Sequence, residues 1–154
     1  MRILDFLSED SIEVGLKASG KRQVLEELIE VLARQGKVTD KKKVLEVLLE
    51  REELGSTGIG QGIAIPHGKS DAVRSLCAVF GLSRQGVPFE ALDGEPVHLF
   101  FMLVAPEGSA GAHLKALARI SGLLKDKYFR KALMSAQARD EIVKVIEDEE
   151  KAKH

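Results

Sequence analysis

The sequence is poor in cysteine and has no excess of either charge, and each shortage excludes a class of protein. A single cysteine, Cys77, excludes an intrachain disulfide and is typical of a reducing compartment. Its place in the apolar stretch LCAVF predicts a small buried side chain. Lysine and arginine number 23 against 24 aspartate and glutamate residues, so the overall charge gives no electrostatic case for a nucleic acid or an acidic membrane as a partner.

Long hydrophobic runs are also missing. The longest uncharged apolar stretch, around residues 97–105, is far too short to span a bilayer. The first ten residues, MRILDFLSED, lack the basic, apolar and small-residue order of a signal peptide. We therefore expect a cytoplasmic protein with no direct insertion into a membrane.

Length and composition predict a single domain over residues 1–154, because 44% of the residues are hydrophobic and provide a core of sheet and helices. Hydrophobic spacing predicts helices over residues 21–36, 41–54, 111–124, 126–136 and 138–150, and strands over residues 12–16, 63–65, 75–83 and 96–105. The last strand is apolar nearly throughout, which predicts a central position with both faces covered. Helices on both sides of the strands in the chain favour an α/β sandwich.

Three finer expectations concern the helices. Thr39 or Asp40 is the expected N-cap of the second helix. The terminal residues 147–154 are expected to form a frayed tail. Helical spacing predicts a common buried side for four residues of the third helix: Leu114, Leu117, Ile120 and Leu124.

The glycine-rich segment LGSTGIGQGIAIPHGK, residues 54–69, matches none of three common glycine motifs. A dinucleotide-binding GxGxxG motif would need a glycine where Ile63 stands. The phosphate-binding GxxxxGK[ST] motif fails because Gly62 comes one residue early and Pro66 interrupts the loop. A nucleophile elbow would need the pattern GxSxG around Ser56. These failures exclude the usual nucleotide and hydrolase readings of the segment.

The spacing of the candidate soft donors is not that of a metal site, so we expect no metal: these donors are His67, Cys77, His98 and His113. His98 is expected to be a strand histidine with no role in phosphoryl transfer.

His67 is the residue of this segment with the clearest chemical potential. Pro66 fixes its own φ and favours an extended Ile65, so the segment presents His67 at a strand end with little conformational freedom. Glycine N–H groups and the hydroxyls of Ser56 and Thr57 can donate to an oxyanion. Neutral imidazole is a competent nucleophile near pH 7 and can accept a phosphoryl group. From the residues alone, a purely structural loop histidine remains the alternative.

The run LEREELGSTGIGQGIAIPHGK resembles the type-2 EIIA domains of the bacterial phosphoenolpyruvate:sugar phosphotransferase system, which include the fructose-type, mannitol-type and nitrogen-regulatory EIIA domains. The resemblance continues through FEALDGEPVHLFFMLVAPE and AGAHLKALARIS and covers essentially the whole chain. It implies an α/β fold in which a mixed β-sheet is flanked by helices, as in the mannitol-type EIIA sandwich. Gln61 stands where relatives often have asparagine.

The resemblance also implies roles for five residues. His67 would accept a phosphoryl group, on Nε2, from the phosphohistidine of HPr or of a nitrogen-branch HPr homologue. His113 would orient His67 or contact the phosphoryl group, and Arg51, Ser56 and Thr57 would bind phosphate. Structural alternatives stay open, because Arg51 also suits a helix C-terminus, the hydroxyls suit a helix-exit turn, and His113 suits a helix start. No cofactor is implied.

Two functions follow from one site. In the first, the phosphorylation state of His67 regulates binding to downstream targets such as a transporter or a sensor kinase. In the second, phospho-His67 passes its group to a cysteine of a separate EIIB for sugar import. We expect a free-standing chain, which favours the regulator, although DGEPVHLFFMLVAPE also resembles fructose-type EIIA. A scaffold that has lost phosphoryl transfer is a third reading. Carriers bind and release quickly, so we expect a shallow depression around His67.

Overall fold

A computed structural model describes residues 1–153 of the chain. Over these residues the chain forms six strands and five α-helices: β1 Ile12–Glu13, α1 Lys21–Arg34, α2 Lys41–Glu53, β2 Gly58–Gly60, β3 Ile63–Ala64, β4 His67–Lys69, β5 Cys77–Val87, β6 Val97–Ala105, α3 Ala110–Leu124, α4 Lys127–Ser135 and α5 Arg139–Ala152. None of the helices within this range is both long enough and apolar enough to cross a membrane.

The strands form one mixed sheet with β6 at its centre. The order is β1-β5-β6-β3-β2, and β4 pairs with β6 beyond the end of β3. β6 runs antiparallel to β5 and parallel to β3 and β4. Its side chains alternate between two cores, so that Phe100 packs with α1 and α2 while Phe101 packs with α3, α4 and α5. The predicted mixed sheet flanked by helices, with the apolar strand in the middle, is confirmed.

The glycine-rich segment contains two strands that the sequence did not predict. β2 turns into β3 through Gln61 and Gly62, at φ values of 61° and 76°. Asparagine, the residue that the resemblance implies at position 61, tolerates this left-handed conformation better than most residues. The chain then resumes pairing after Pro66, whose carbonyl accepts the Leu103 N–H at 2.9 Å. His67 is therefore the first residue of a strand.

Two expectations about helix ends are resolved by hydrogen bonds. Asp40 caps α2 by accepting the Lys43 N–H, whereas the Thr39 hydroxyl donates to the Ala72 carbonyl. The expected frayed tail is wrong over residues 147–152, because α5 continues to Ala152. There Glu150 is buried and accepts the Ile3 N–H at 3.0 Å. His154 lies outside the described residues.

The buried face of α3 differs from the expected one. Leu114 is 66% exposed, although it shares helical spacing with residues that point inward. The buried face begins one residue earlier, at His113, and continues through Ala116 and Ile120. A histidine therefore takes the inward position that hydrophobic spacing had given to leucine.

Gly68 makes the close contact between β4 and α2. A Cβ at this position would lie 2.4 Å from Val47 Cγ1, whereas a Cβ on Gly122 would meet nothing within 4 Å. We expect Gly68→Ala to lower the free energy of unfolding by about 1–3 kcal/mol through overpacking. Gly122→Ala, the same change in an open part of α3, should raise it by about 0.5–1 kcal/mol. Urea unfolding of both variants measures the difference.

If the clash is the cause, adding Val47→Ala should recover part of the loss from Gly68→Ala, because the contacting methyl group is removed. The double variant would contradict this account if its loss in free energy of unfolding equalled or exceeded the sum of the two single losses.

Candidate functional site

Three chain segments that are distant in sequence meet at one edge of the sheet. β4 carries His67, the last turn of α2 carries Arg51, and the first turn of α3 carries His113. His67 pairs with Leu103 near the end of β6, and the chain turns from β6 directly into α3. This connection places the start of α3 beside β4, so the two histidine rings lie with their centroids 5.5 Å apart.

The hydrogen bonds of His67 define its tautomer. Nδ1 lies 2.7 Å from the Ile65 carbonyl oxygen, and because a carbonyl can only accept, Nδ1 carries the proton. The lone pair of the neutral ring is therefore on Nε2. Arg51 Nε donates to Nε2 at 3.3 Å, and Arg51 Nη1 donates to the Gly55 carbonyl at 2.9 Å. A half-buried nucleophilic nitrogen thus faces an anchored guanidinium.

His113 adds a second imidazole to the site. Only 7% of the residue is exposed, and its Nε2 is buried without a hydrogen-bond partner among residues 1–153. The two rings are tilted by 53°. A buried polar nitrogen without a partner is costly, so this atom is suited to contact a group that enters the site.

Burial favours the neutral form of both histidines. It is the main cause that lowers the pKa of His67, and the Arg51 charge lowers that pKa further, against the Ile65 carbonyl and the Glu52 carboxylate, which raise it. Burial also lowers the pKa of His113, with His67 and Lys69 acting in the same direction. Lys69 lies two positions after His67 on β4, the spacing that returns to the same face of a strand. Sequence reasoning had considered Lys69 only within a failed nucleotide motif.

The lowered pKa of His67 predicts a pH dependence. The phosphoryl acceptance expected of His67 requires neutral imidazole, so the midpoint of the fall in rate with acid should lie below pH 6.5, the ordinary histidine pKa. As the pH falls, His67 takes up its proton at a higher pH in the unfolded chain than in the folded protein. The free energy of unfolding should therefore also decrease as the pH drops through 6.5 toward the folded pKa. Single-turnover rates and NMR titration of the imidazole carbons measure both. A titration midpoint above 6.5 would contradict the prediction.

The hydroxyls of Ser56 and Thr57, the expected phosphate donors, both donate hydrogen bonds within the protein. Ser56 Oγ donates to the Phe89 carbonyl at 3.2 Å and accepts the Gly58 N–H at 3.0 Å. The Thr57 hydroxyl donates to the buried Glu52 carboxylate. Both side chains stabilise the helix-exit turn, which is the structural alternative that the sequence left open.

Glu52 and Lys21 are supporting residues that sequence reasoning missed. Glu52 accepts the Thr57 N–H at 3.1 Å and pairs with Lys21 Nζ at 3.2 Å. The Thr57 carbonyl in turn accepts the Ile65 N–H at 3.0 Å, and the Ile65 carbonyl holds His67 Nδ1. This series of contacts connects the ends of α1 and α2 to the imidazole. A glutamate at a helix end gives no sign of burial in the sequence, so only the packed fold identifies it.

The other soft donors take no part in this site. Cys77 is buried, with Sγ 3.8 Å from the Val104 carbonyl oxygen, and burial raises the pKa of its thiol to about 11. His98 lies near the opposite end of β6, where Nδ1 contacts the Ser83 carbonyl at 2.8 Å. No group of three or more histidine, cysteine, aspartate or glutamate side chains positioned to hold a metal occurs within residues 1–153.

The mixed sheet thus presents a histidine pair beside an arginine at one edge. The sequence model of the family described as "Phosphoenolpyruvate-dependent sugar phosphotransferase system, EIIA 2" matches residues 5–149. The chain belongs to this family, and it is accordingly a phosphotransferase-system component.

The relatives of this chain include both sugar-specific and nitrogen-regulatory proteins. The fructose-specific EIIABC component of Bacillus subtilis is 41% identical over 98% of this chain, which spans 24% of that protein. The nitrogen regulatory protein of Bradyrhizobium diazoefficiens is 40% identical, with 95% of each chain covered. The crystal structure of nitrogen regulatory protein IIA-Ntr from Neisseria meningitidis matches with a TM-score of 0.86 and 35% identity, covering 94% of this chain and 98% of that one.

Proposed function

We propose that the protein is a phosphocarrier in which His67 Nε2 accepts a phosphoryl group from the phosphohistidine of HPr or of a nitrogen-branch HPr homologue. The observation that carries the proposal is the 2.7 Å contact of Nδ1 with the Ile65 carbonyl, which leaves the lone pair on Nε2. Because the ring is held in this tautomer before reaction, no proton has to be removed first.

The transfer balances without any further reactant. The Nε2 lone pair forms a bond to phosphorus, while the P–N bond of the donor phosphohistidine breaks and its electron pair returns to the donor ring. Arg51 Nε must leave Nε2 for the attack to occur, and its guanidinium is then positioned to donate to a phosphoryl oxygen. Phosphoryl transfer passes through a loose transition state, so alignment and charge neutralisation provide most of the catalysis.

Three further features favour a phosphoryl group at this position. His113 Nε2, which has no hydrogen-bond partner among residues 1–153, can donate to a phosphoryl oxygen when it carries the proton. The Lys69 charge acts on the same region. α3 begins here without a side-chain cap at Ser109 and without an acidic residue in its first turn, so its N-terminal N–H groups and positive dipole end are available to an anion.

Exposed apolar side chains next to the site support docking of a protein donor. Leu54 is 85% exposed and follows α2, and Leu114 is 66% exposed and follows His113. Exposed apolar side chains cost free energy in water, so covering them with a partner contributes favourably to binding. A contact made by a few apolar side chains suits the rapid binding and release that a carrier requires.

We assign the carrier to nitrogen or metabolic regulation, because the nitrogen regulatory relative and the IIA-Ntr structure both match along nearly their whole length. A specific observation favours the second candidate, sugar import through a separate EIIB: the fructose-specific relative is equally similar in sequence. In the regulatory case the added phosphate, about −1.5 to −2 charges, changes which targets the apolar surface accepts.

The test is phosphorylation of the purified protein with phosphoenolpyruvate, using Enzyme I and HPr of the sugar branch in one reaction and the nitrogen-branch homologues in the other. Intact-mass spectrometry should show one acid-labile phosphoryl group per chain. Faster labelling by the nitrogen-branch pair, with no onward transfer to a fructose-type EIIB, supports regulation. Rapid onward transfer to EIIB would overturn it in favour of import, and no labelling by either pair would leave a scaffold without the chemistry.

A further inference from the structure

A cavity lies near the other end of β6 from His67. Its volume is about 460 Å³, and its walls include Leu99 of β6 together with the first two turns of α4. Leu99 precedes Leu103, the partner of His67, by four residues on β6, so the two sites are separated by about 13 Å along the strand. The volume falls within the range of small-molecule sites, about 300–1,000 Å³.

The cavity is basic in a chain whose net charge is −1. Lys127, Arg130 and Lys131 line it, and its lining contains no carboxylate. None of these three cations forms an ion pair with a described residue of the chain. The neighbouring Asp126 is already engaged, because its carboxylate caps α4 and pairs with Lys153 at 3.3 Å. Three unneutralised cations around one cavity favour an anionic ligand.

Arg130 is held in a fixed orientation. Its Nη1 donates to the carbonyls of Leu124 and Lys125, at 2.7 and 3.0 Å, where α3 ends. Its Nη2 lies 3.5 Å from Oε1 of Gln61, a residue of the opposite wall. These contacts leave part of the guanidinium open to the cavity at little further cost in side-chain entropy, which is the condition for efficient anion binding.

The remaining lining suits a ligand with a ring and hydroxyl groups. Tyr128 is 71% exposed at the cavity, where Lys127 Nζ lies 5.3 Å from the centre of its ring. Leu99 and Met134 provide apolar surface. His98 donates through Nδ1 to the Ser83 carbonyl, so Nε2 of the neutral ring is an acceptor for a ligand hydroxyl.

We propose that this cavity binds a mononucleotide, with the phosphate at Lys127, Arg130 and Lys131, the base against the Tyr128 ring, and a ribose hydroxyl at His98. An inorganic anion would leave most of the volume and the aromatic surface unused. The site shares no residue with the phosphoryl site at His67, so the proposal is independent of the proposed carrier function.

The test is a titration of the ¹⁵N-labelled protein with AMP, ribose 5-phosphate and adenosine as separate probes, followed by heteronuclear NMR and calorimetry. AMP should shift the amide signals of residues 61–62, 98–99 and 127–131 and leave that of His67 in place. It should bind more tightly than either ribose 5-phosphate or adenosine, because only AMP engages both the cations and the ring.

The matched variants are two pairs of exposed lysines. Lys127→Ala/Lys131→Ala should weaken AMP binding by at least about tenfold. Lys17→Ala/Lys42→Ala removes the same charge elsewhere and should leave binding unchanged. Tyr128→Ala should abolish the preference for AMP over ribose 5-phosphate.

Three outcomes would overturn the proposal. The first is no saturable shift with AMP up to about 10 mM. The second is equal weakening by the two lysine pairs, which would indicate general charge attraction. The third is equal affinity for AMP and ribose 5-phosphate in the unmodified protein, which would remove the role of the ring. None of these results would bear on the proposed phosphorylation of His67.

Discussion

Replacing His67 with alanine should abolish phosphoryl acceptance completely. The substitution removes the atom that forms the new bond, and residues 1–153 offer no equivalent nucleophile at the same place, because His113 is more deeply buried. His113→Ala should instead slow the reaction, by about 10–100-fold, since it removes a contact to the transferred group and leaves Nε2 of His67 in place. Intact-mass spectrometry after incubation with the donor proteins measures both variants.

Melting curves provide the control for this pair. His67 is half-buried and donates one hydrogen bond, so the alanine variant should lose no more than about 1–2 kcal/mol and stay folded. Undiminished labelling of a folded His67→Ala protein would place the acceptor elsewhere. Complete loss in both variants would make His113 an obligatory participant in place of a supporting one.

Replacing Arg51 with alanine should slow phosphoryl acceptance by about 100-fold, the usual effect of removing one oriented donor from a developing charge. The guanidinium is anchored by Nη1 to the Gly55 carbonyl, so it stays beside the reacting nitrogen when Nε leaves Nε2 for a phosphoryl oxygen. Arg51→Lys should recover part of the rate only, because a lysine ammonium cannot bond in the planar fork that both contacts use. Quench-flow measurement from phosphorylated HPr gives the rates.

Arg34→Ala is the matched control for Arg51→Ala. Arg34 also occupies the last turn of a helix, and it donates to the Glu30 carbonyl at the exposed end of α1. Both changes remove a cation that favours a helix C-terminus, so they should cost similar stability, about 0.3–1 kcal/mol. If the two variants accept phosphoryl groups equally fast, Arg51 serves only its helix.

The sequence was sufficient for the layers of the fold, and it directed attention to the segment that carries His67. The unbroken apolar run of β6 predicted its central position because both of its faces are covered. The proline before His67 predicted a rigid presentation of the ring. β2 and β4 escaped prediction because each has three residues and contains glycine, so neither shows the alternation on which strand prediction depends.

The parts of the site that escaped prediction depend on packing between elements. Glu52 and Lys21 lie 31 positions apart and meet only when α1 and α2 pack side by side. The sequence likewise could not distinguish the hydroxyls of Ser56 and Thr57 as phosphate donors from their use in the turn, since both uses need the same residues at the same spacing. For Leu114, spacing alone could not show that His113 occupies the inward position.

The bond between Glu150 and the Ile3 N–H has a topological consequence. The first and last ordered turns of the protein lie side by side, so a covalent extension at either end leaves from the same small area of the surface. Such a fold can be joined into a larger polypeptide, or separated from one, without rerouting any of its internal connections. Gene fusion and fission therefore require little change in the fold. A linker at either end would attach the domain at nearly the same point on its surface.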